Sequence, residues 1–104
     1  KAEVLRIWLA ENGFAVTKEL AVKDTHVYSV MQAHYTGEIR SLSGAAPYVG
    51  LLKPGDRITR IYIAGVQERL HTKAAGLAQA GQTAESDAVR ETIRQINEWL
   101  EGTS

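Results

Sequence analysis

The strongest constraint in this sequence is a run of apolar side chains spaced for one face of a long α-helix. The apolar positions recur after four, four, four, four and three residues, at Ile58, Tyr62, Val66, Leu70, Ala74 and Leu77. This spacing predicts an amphipathic helix from Arg57 to Gln79, about 35 Å long at 1.5 Å per residue. The turn before it ends in Asp56, whose carboxylate is placed to cap the first N–H groups of the helix.

A second helical pattern follows, with apolar residues after four, three and four positions, at Val89, Ile93, Ile96 and Leu100. Thr83 or Ser86 is the expected cap. Residues 53–80 hold five basic and two acidic side chains, a balance of plus three, whereas residues 81–104 hold two basic and five acidic ones, a balance of minus three. Opposite charge and matching apolar faces predict a coiled-coil-like antiparallel helical hairpin over residues 56–104.

The first third of the chain predicts a short helix that ends at a glycine. Its apolar residues lie on one helical stripe, and Gly13 after Asn12 is typical of a helix stop; the stripe consists of Val4, Leu5, Trp8 and Leu9. We interpret Trp8 and Trp99 as core anchors of their helices.

Residues 14–35 predict an antiparallel β-hairpin around a polar turn at residues 23–25. In the first strand, alternation places Phe14, Val16, Leu20 and Val22 on one face and Thr17 and Glu19 on the other. The second strand is apolar on both faces, with Tyr28 and Val30 on one and Val27, Met31, Ala33 and Tyr35 on the other. Such a strand normally has a neighbour on each edge, yet the chain supplies one partner, so a second partner is missing.

Composition sets the remaining limits. The chain has 104 residues, no net charge and no cysteine, which fits one small α+β domain: helix, β-hairpin, an irregular connector over residues 37–55, and the helical hairpin. Disulfides, thiolate zinc sites and cysteine nucleophiles are excluded, and we expect a cytoplasmic protein without a membrane partner. Because the chain begins with Lys1 rather than methionine, we expect that an upstream segment has been removed.

The sequence predicts no catalytic, cofactor-binding or metal-binding residue within this chain. No glycine-rich phosphate loop is present, and Ser41 and Ser43 lack a recognisable base. His26 and His34 would lie roughly 26 Å apart along one strand, too far for a shared metal ion. His71 has only Glu68 within one helical turn, which is weak evidence for a metal site.

Four basic residues are candidates for RNA binding, because they could project along one side of the long helix towards phosphate oxygens: Lys53, Arg57, Arg60 and Lys73. The alternative, which we weigh more heavily, is a solvated face or salt bridges to the acidic last helix.

The stretch from Leu5 to Tyr35, LRIWLAENGFAVTKELAVKDTHVYSVMQAHY, resembles the later part of the TrmK family of bacterial tRNA adenine-N1 methyltransferases. The residues that carry the resemblance are Leu5, Arg6, Trp8, Leu9, Glu11, Asn12, Gly13, Phe14 and Tyr28. A looser likeness, at Pro47, Tyr48, Gly50, Leu51 and Leu52, is to the segment before that family's C-terminal helical hairpin.

The resemblance implies that residues 1–36 are the last helix and β-hairpin of a Rossmann-like methyltransferase domain, and that residues 56–104 are its coiled-coil extension. The family's S-adenosylmethionine loops and base-contacting residues precede this region. The chain is therefore expected to be inactive alone and to hold no cofactor, while the full-length parent would bind S-adenosylmethionine and tRNA, aided by the helical hairpin.

Two other functions remain open from the sequence. The stretch GLLKPGDRI, residues 50–58, is similar to a segment of PDZ peptide-binding domains, which predicts a strand rather than a helix over residues 57–66. A plain oligomerisation domain predicts a stable dimer without tRNA affinity. A fragment standing alone is expected to recruit a second copy through its unpaired strand.

Overall fold

The computed structural model describes residues 2–102, and Lys1, Thr103 and Ser104, which belong to the first and last predicted segments, lie outside the described residues. The predicted α+β order of helix, hairpin, connector and two long helices is confirmed. The elements are α1 (Ala2–Glu11), β1 (Phe14–Lys23), β2 (Val27–Tyr35), α2 (Ala46–Val49), α3 (Arg57–Gln79) and α4 (Thr83–Leu100).

Gly13 lies in the turn that follows α1, as expected of a helix stop, with φ of 84°. The Gly13 carbonyl accepts hydrogen bonds from the N–H groups of residues 36 and 37, at 2.8 and 2.9 Å, which tie the end of α1 to the end of β2. A side chain at this position would be strained by the positive φ and would press on Tyr35 and the chain at residue 37.

Of the apolar stripe predicted on α1, only Leu9 is buried. The helix buries Arg6, Leu9 and Ala10, while the other predicted members, Val4, Leu5 and Trp8, are 61%, 46% and 52% exposed. The expectation that Trp8 anchors a core is therefore also wrong. The reason is that α1 packs mainly against β1 and α2, which cover a narrow face of the helix and leave its apolar back in solvent.

The hairpin is antiparallel and carries a β-bulge at Thr17, between the pairs Val16↔Ala33 and Lys18↔Gln32. An extra residue in a strand reverses which face the following side chains occupy. Val16 consequently shares a face with Glu19, while Leu20 and Val22 pair with Val30 and Tyr28 on the opposite face. The predicted single apolar face of β1 is thus split in two, and no glycine or proline near Thr17 marks the bulge.

The connector is less irregular than predicted, because α2 forms within it. Pro47 lies in the first turn of this short helix, where its missing N–H has no intrahelical partner to lose. Pro47 and Val49 are buried.

Helices α3 and α4 form the predicted hairpin. The Asp56 carboxylate accepts hydrogen bonds from the Thr59 N–H at 2.9 Å and its hydroxyl at 3.0 Å, so the predicted cap is confirmed. Gln82, not Thr83 or Ser86, precedes α4. Ser86 is buried instead, and its hydroxyl donates to the Ala74 carbonyl at 2.9 Å, joining the two helices. Since residues 57–66 are helical, the strand that a PDZ domain requires is absent from them.

The apolar core lies in the second half of the chain. Its buried members are Val49, Ile63, Val66, Leu70, Ile93 and Ile96. Trp99 packs against this cluster, in line with its predicted role. Within the described part of residues 1–36 the buried apolar side chains are only Leu9, Ala10 and Ala21. None of the helices formed by residues 2–102 combines the length and apolar content needed to cross a bilayer.

Candidate functional site

A buried ion pair, Arg6 with Glu19, connects the elements of the first half. The Arg6 Nε donates to Glu19 Oε2 at 2.7 Å, and the two side chains are 2% and 0% exposed. Arg6 also donates to the carbonyls of Pro47 at 2.7 Å and Tyr48 at 3.1 Å. Ser29 on β2 donates to Glu19 Oε2 at 2.9 Å. One guanidinium therefore links α1 to β1 and α2, where an apolar core would ordinarily stand.

Sequence reasoning missed this pair as a structural unit. The available signal was that Arg6 precedes Leu9 and Ala10 by three and four residues and so lies on the same helical face. Strict alternation places Glu19 on the face opposite Val16, whereas the bulge at Thr17 brings the two residues to the same face.

The two edges of the sheet differ in charge. The sheet of the described residues has two strands, so β1 and β2 each have one unpaired edge. Strand β1 carries Lys18, Glu19 and Lys23 together with the bulge, whereas β2, VYSVMQAHY, contains no Asp, Glu, Lys, Arg or Pro. Charges and bulges are the devices that keep a permanent edge strand from pairing with other strands. Strand β1 has them and β2 does not.

The outer face of the hairpin, opposite α1 and α3, is apolar. Leu20 pairs with Val30 and Val22 with Tyr28 on this face. Leu20, Val30 and Tyr28 are 55%, 46% and 48% exposed. Contiguous exposed apolar residues on a sheet mark a surface that another layer covers.

Two grooves flank the hairpin. The β2-edge groove has a volume of about 500 Å³ and lies between α1, β2 and α3, with Leu5, Tyr28, Met31, Tyr62 and Arg69 among its lining residues. The β1-edge groove, of about 550 Å³, lies between residues 17–21 of β1 and the segment 51–59.

The structure brings three of the four predicted RNA-binding residues to one end of α3 and separates the fourth. Lys53 lines the β1-edge groove, and Arg57 is exposed in the first turn of α3. Arg60 donates to the carbonyls of Pro54 at 2.6 Å and Leu100 at 3.2 Å. Lys73 lies about 24 Å along α3 and about 160° around it from Arg57, so the four do not share one face.

Lys73 instead borders a smaller cleft of about 210 Å³ with Glu3, Tyr48 and Arg69. Partial burial is the main cause of a raised pKa for the Tyr48 phenol; nearby Glu3 raises it further, and Arg69 opposes both. The phenol is therefore neutral and able to donate a hydrogen bond at physiological pH.

Residues 2–102 contain no group of three His, Asp or Glu side chains placed to hold a metal ion. His26, His34 and His71 are exposed, as are Ser41 and Ser43. The surfaces with functional potential are therefore the sheet edges and their grooves.

A scan against protein-family models and searches of curated proteins and of solved structures find no match for the chain.

Proposed function

We propose that this chain is the C-terminal part of a cytoplasmic, S-adenosylmethionine-dependent methyltransferase that modifies N1 of an adenine in tRNA. In this proposal α1, β1 and β2 complete the Rossmann-like sheet of the longer protein, and the α3–α4 hairpin aids tRNA binding. The observation that carries the proposal is the difference between the two edges of the hairpin.

An uncharged strand without proline or bulge is suited to the interior of a sheet, where both edges pair. Strand β2 has that character, whereas the lysines and bulge of β1 suit an outermost strand. The resemblance to the TrmK family makes the same assignment, because it places the last strand between two others.

Two exposed apolar surfaces, one on the hairpin and one on α1, support the same proposal. The outer face at Leu20, Val30 and Tyr28 is apolar, and so is the solvent side of α1 at Val4, Leu5 and Trp8. A sheet with helices on both faces buries such surfaces. We propose that the remainder of the parent covers them.

The residues described here do not fit the cofactor. After β1 the chain turns through residues 24–26, which contain no glycine, and then enters a strand. Nucleotide-type cofactors need a glycine-rich turn followed by a helix. We therefore assign no step of methyl transfer to this chain, and we propose that the parent supplies both cofactor and reacting groups.

The functional test uses the longer reading frame that contains this chain. Purified protein is incubated with unmodified tRNA transcripts and radiolabelled S-adenosylmethionine, and the tRNA is digested to nucleosides. We expect label in 1-methyladenosine, and none from the 104-residue chain alone. Labelled nucleosides of another kind, or no transfer by the longer protein, would contradict the proposal.

The structural test uses cysteine accessibility, because the chain has no cysteine of its own. Val30→Cys on β2 should react quickly with a maleimide in the isolated chain and at least tenfold more slowly in a cysteine-free version of the longer protein. Lys18→Cys on β1 is the matched control and should react equally in both. Equal reactivity of Val30→Cys in the two proteins would refute the proposal that the longer protein covers β2.

The same edge supports a second candidate, an oligomerisation domain that pairs β2 with β2 of another copy. We expect the isolated chain to dimerise in this way, with Val30→Lys returning it to monomer in sedimentation velocity. Leu20→Lys lies opposite Val30 on the same face but on the other strand, so edge pairing should survive it. A dimer of the longer protein that retains no tRNA affinity would favour oligomerisation over methylation.

A further inference from the structure

We propose that the β1-edge groove contacts the phosphate backbone of RNA, with Lys18 on one wall and Lys53 on the other. This inference rests on the proposed function for the identity of the ligand. It adds the place of contact and replaces part of the basic set predicted from sequence.

The groove has the size of a ligand site. Its volume of about 550 Å³ falls within the roughly 300–1,000 Å³ range of such sites. One wall is β1 around the bulge, and the other is the segment that enters α3. Leu51, which is 49% exposed, gives it apolar surface for ribose or base.

The charges of the groove favour an anion. Of the two acidic side chains that line it, Glu19 is neutralised by its ion pair with Arg6, whereas Asp56 accepts two hydrogen bonds from Thr59 and keeps its charge, so the two lysines leave a balance of plus one. Within residues 2–102, neither Lys18 nor Lys53 forms a hydrogen bond or ion pair through its ammonium group. Two uncommitted ammonium groups on facing walls are suited to phosphate oxygens.

The walls of the groove are fixed to each other. Glu19 Oε1 on β1 accepts the Leu51 N–H at 3.0 Å. On the far side, Arg60 binds the carbonyls of Pro54 and Leu100 and so holds the segment against α4. Arg60, one of the predicted RNA contacts, thus positions this segment through its Nη1 group.

The groove stays open when β2 is internal, because it lies on the other edge of the hairpin. The bulge and Lys18 oppose addition of a peptide strand to β1, which disfavours a β-strand ligand there. A flexible polyanion needs no strand pairing and fits these constraints.

The test measures binding of the 104-residue chain to a fluorescently labelled tRNA transcript by anisotropy over a series of salt concentrations. Lys18→Gln and Lys53→Gln should each weaken binding about three- to tenfold and flatten the slope of log K against log salt by about 1. Lys73→Gln, which removes the same charge from a lysine far along α3, is the control and should change binding less than twofold. Circular dichroism checks that each variant is folded.

Equal losses for Lys73→Gln and the two groove variants would mean diffuse attraction and would overturn the site. So would unchanged binding in the double variant, or displacement of the tRNA by polyglutamate as readily as by unlabelled RNA. The proposed function is judged separately by methyl transfer. If transfer occurs but Lys18→Gln and Lys53→Gln bind tRNA normally, the groove fails and the function stands. If the groove binds RNA but 1-methyladenosine never forms, the groove proposal stands and the proposed function fails.

Discussion

Replacing Arg6 with methionine tests whether the buried ion pair holds the first half of the protein together. The substitution leaves the Glu19 carboxylate at 0% exposure without its cation and removes the donor to the Pro47 and Tyr48 carbonyls. Breaking one partner of a buried pair costs about 3–5 kcal/mol. That is a large part of the roughly 5–15 kcal/mol that stabilises a domain of this size.

The assay is urea unfolding followed by far-ultraviolet circular dichroism and by tryptophan fluorescence. Trp8 lies on α1, two positions from Arg6, so its emission reports on the helix that loses its anchor once Trp99 on α4 is replaced by phenylalanine in both proteins. We expect the free energy of unfolding to fall by about 3–5 kcal/mol, equivalent to a drop in Tm of more than about 12 °C. Agreement between the two probes would establish that the half-chains unfold together.

Arg94→Met is the matched control. Arg94 also binds two glutamates, Glu91 and Glu98, but its side chain is 56% exposed. Solvent screens an exposed pair and leaves it little net effect, so the urea midpoint of this variant should stay close to that of the parent. If Arg6→Met cost no more than Arg94→Met, the buried ion pair would not be the connection that we describe.

Four further predictions concern single positions. Gly50→Ala should cost at least about 3 kcal/mol, because φ is 50° and the new Cβ would collide with the buried ion pair. Gly81→Ala, at φ of 82° with open space around it, should cost only about 1–2 kcal/mol in the same urea assay. Hydrogen bonds, first from Arg94 and then from Gln95, lower the pKa of Glu91 from 4.5 to about 2. Its stabilising contribution is therefore present above pH 4.5 and lost as pH falls towards 2; a carboxylate NMR titration with a midpoint near 4.5 would contradict this. Asp56→Ala should cost about 0.5–2 kcal/mol by thermal unfolding through loss of the cap, and an unchanged Tm would refute that role.

The parts of the fold that follow from local spacing were predictable. The four-residue repeat located α3, Asp56 marked its start, and Gly13 marked the end of α1. What failed depends on contacts distant in sequence. Nothing local distinguishes Trp8 on an open face from a buried tryptophan, and the bulge at Thr17 is set by pairing across the hairpin.

The candidate site shows the same limit. Lys53 was identified as basic, but only the fold places Lys18 opposite it and engages Arg60 with backbone carbonyls. Helical periodicity alone already separates Lys73 from Arg57, since 16 residues at 100° each leave the two about 160° apart. Lys73 and Arg57 therefore belong to different faces of α3, and positive charge alone does not define one binding surface.

The two halves of the chain are held together differently. This difference explains how one chain can carry both a β2 strand that the parent covers and a β1-edge groove that contacts RNA. The helical half packs around an apolar core that includes Ile63 and Ile96. The first half has few buried apolar residues and depends on the ion pair of Arg6 with Glu19 to keep its register with α2. Because Glu19 also accepts the Leu51 N–H, that ion pair sets the spacing of the β1-edge groove. Docking of a neighbouring strand on β2 would brace the hairpin through Ser29, which bonds Glu19 directly, and so would steady the groove from the opposite edge.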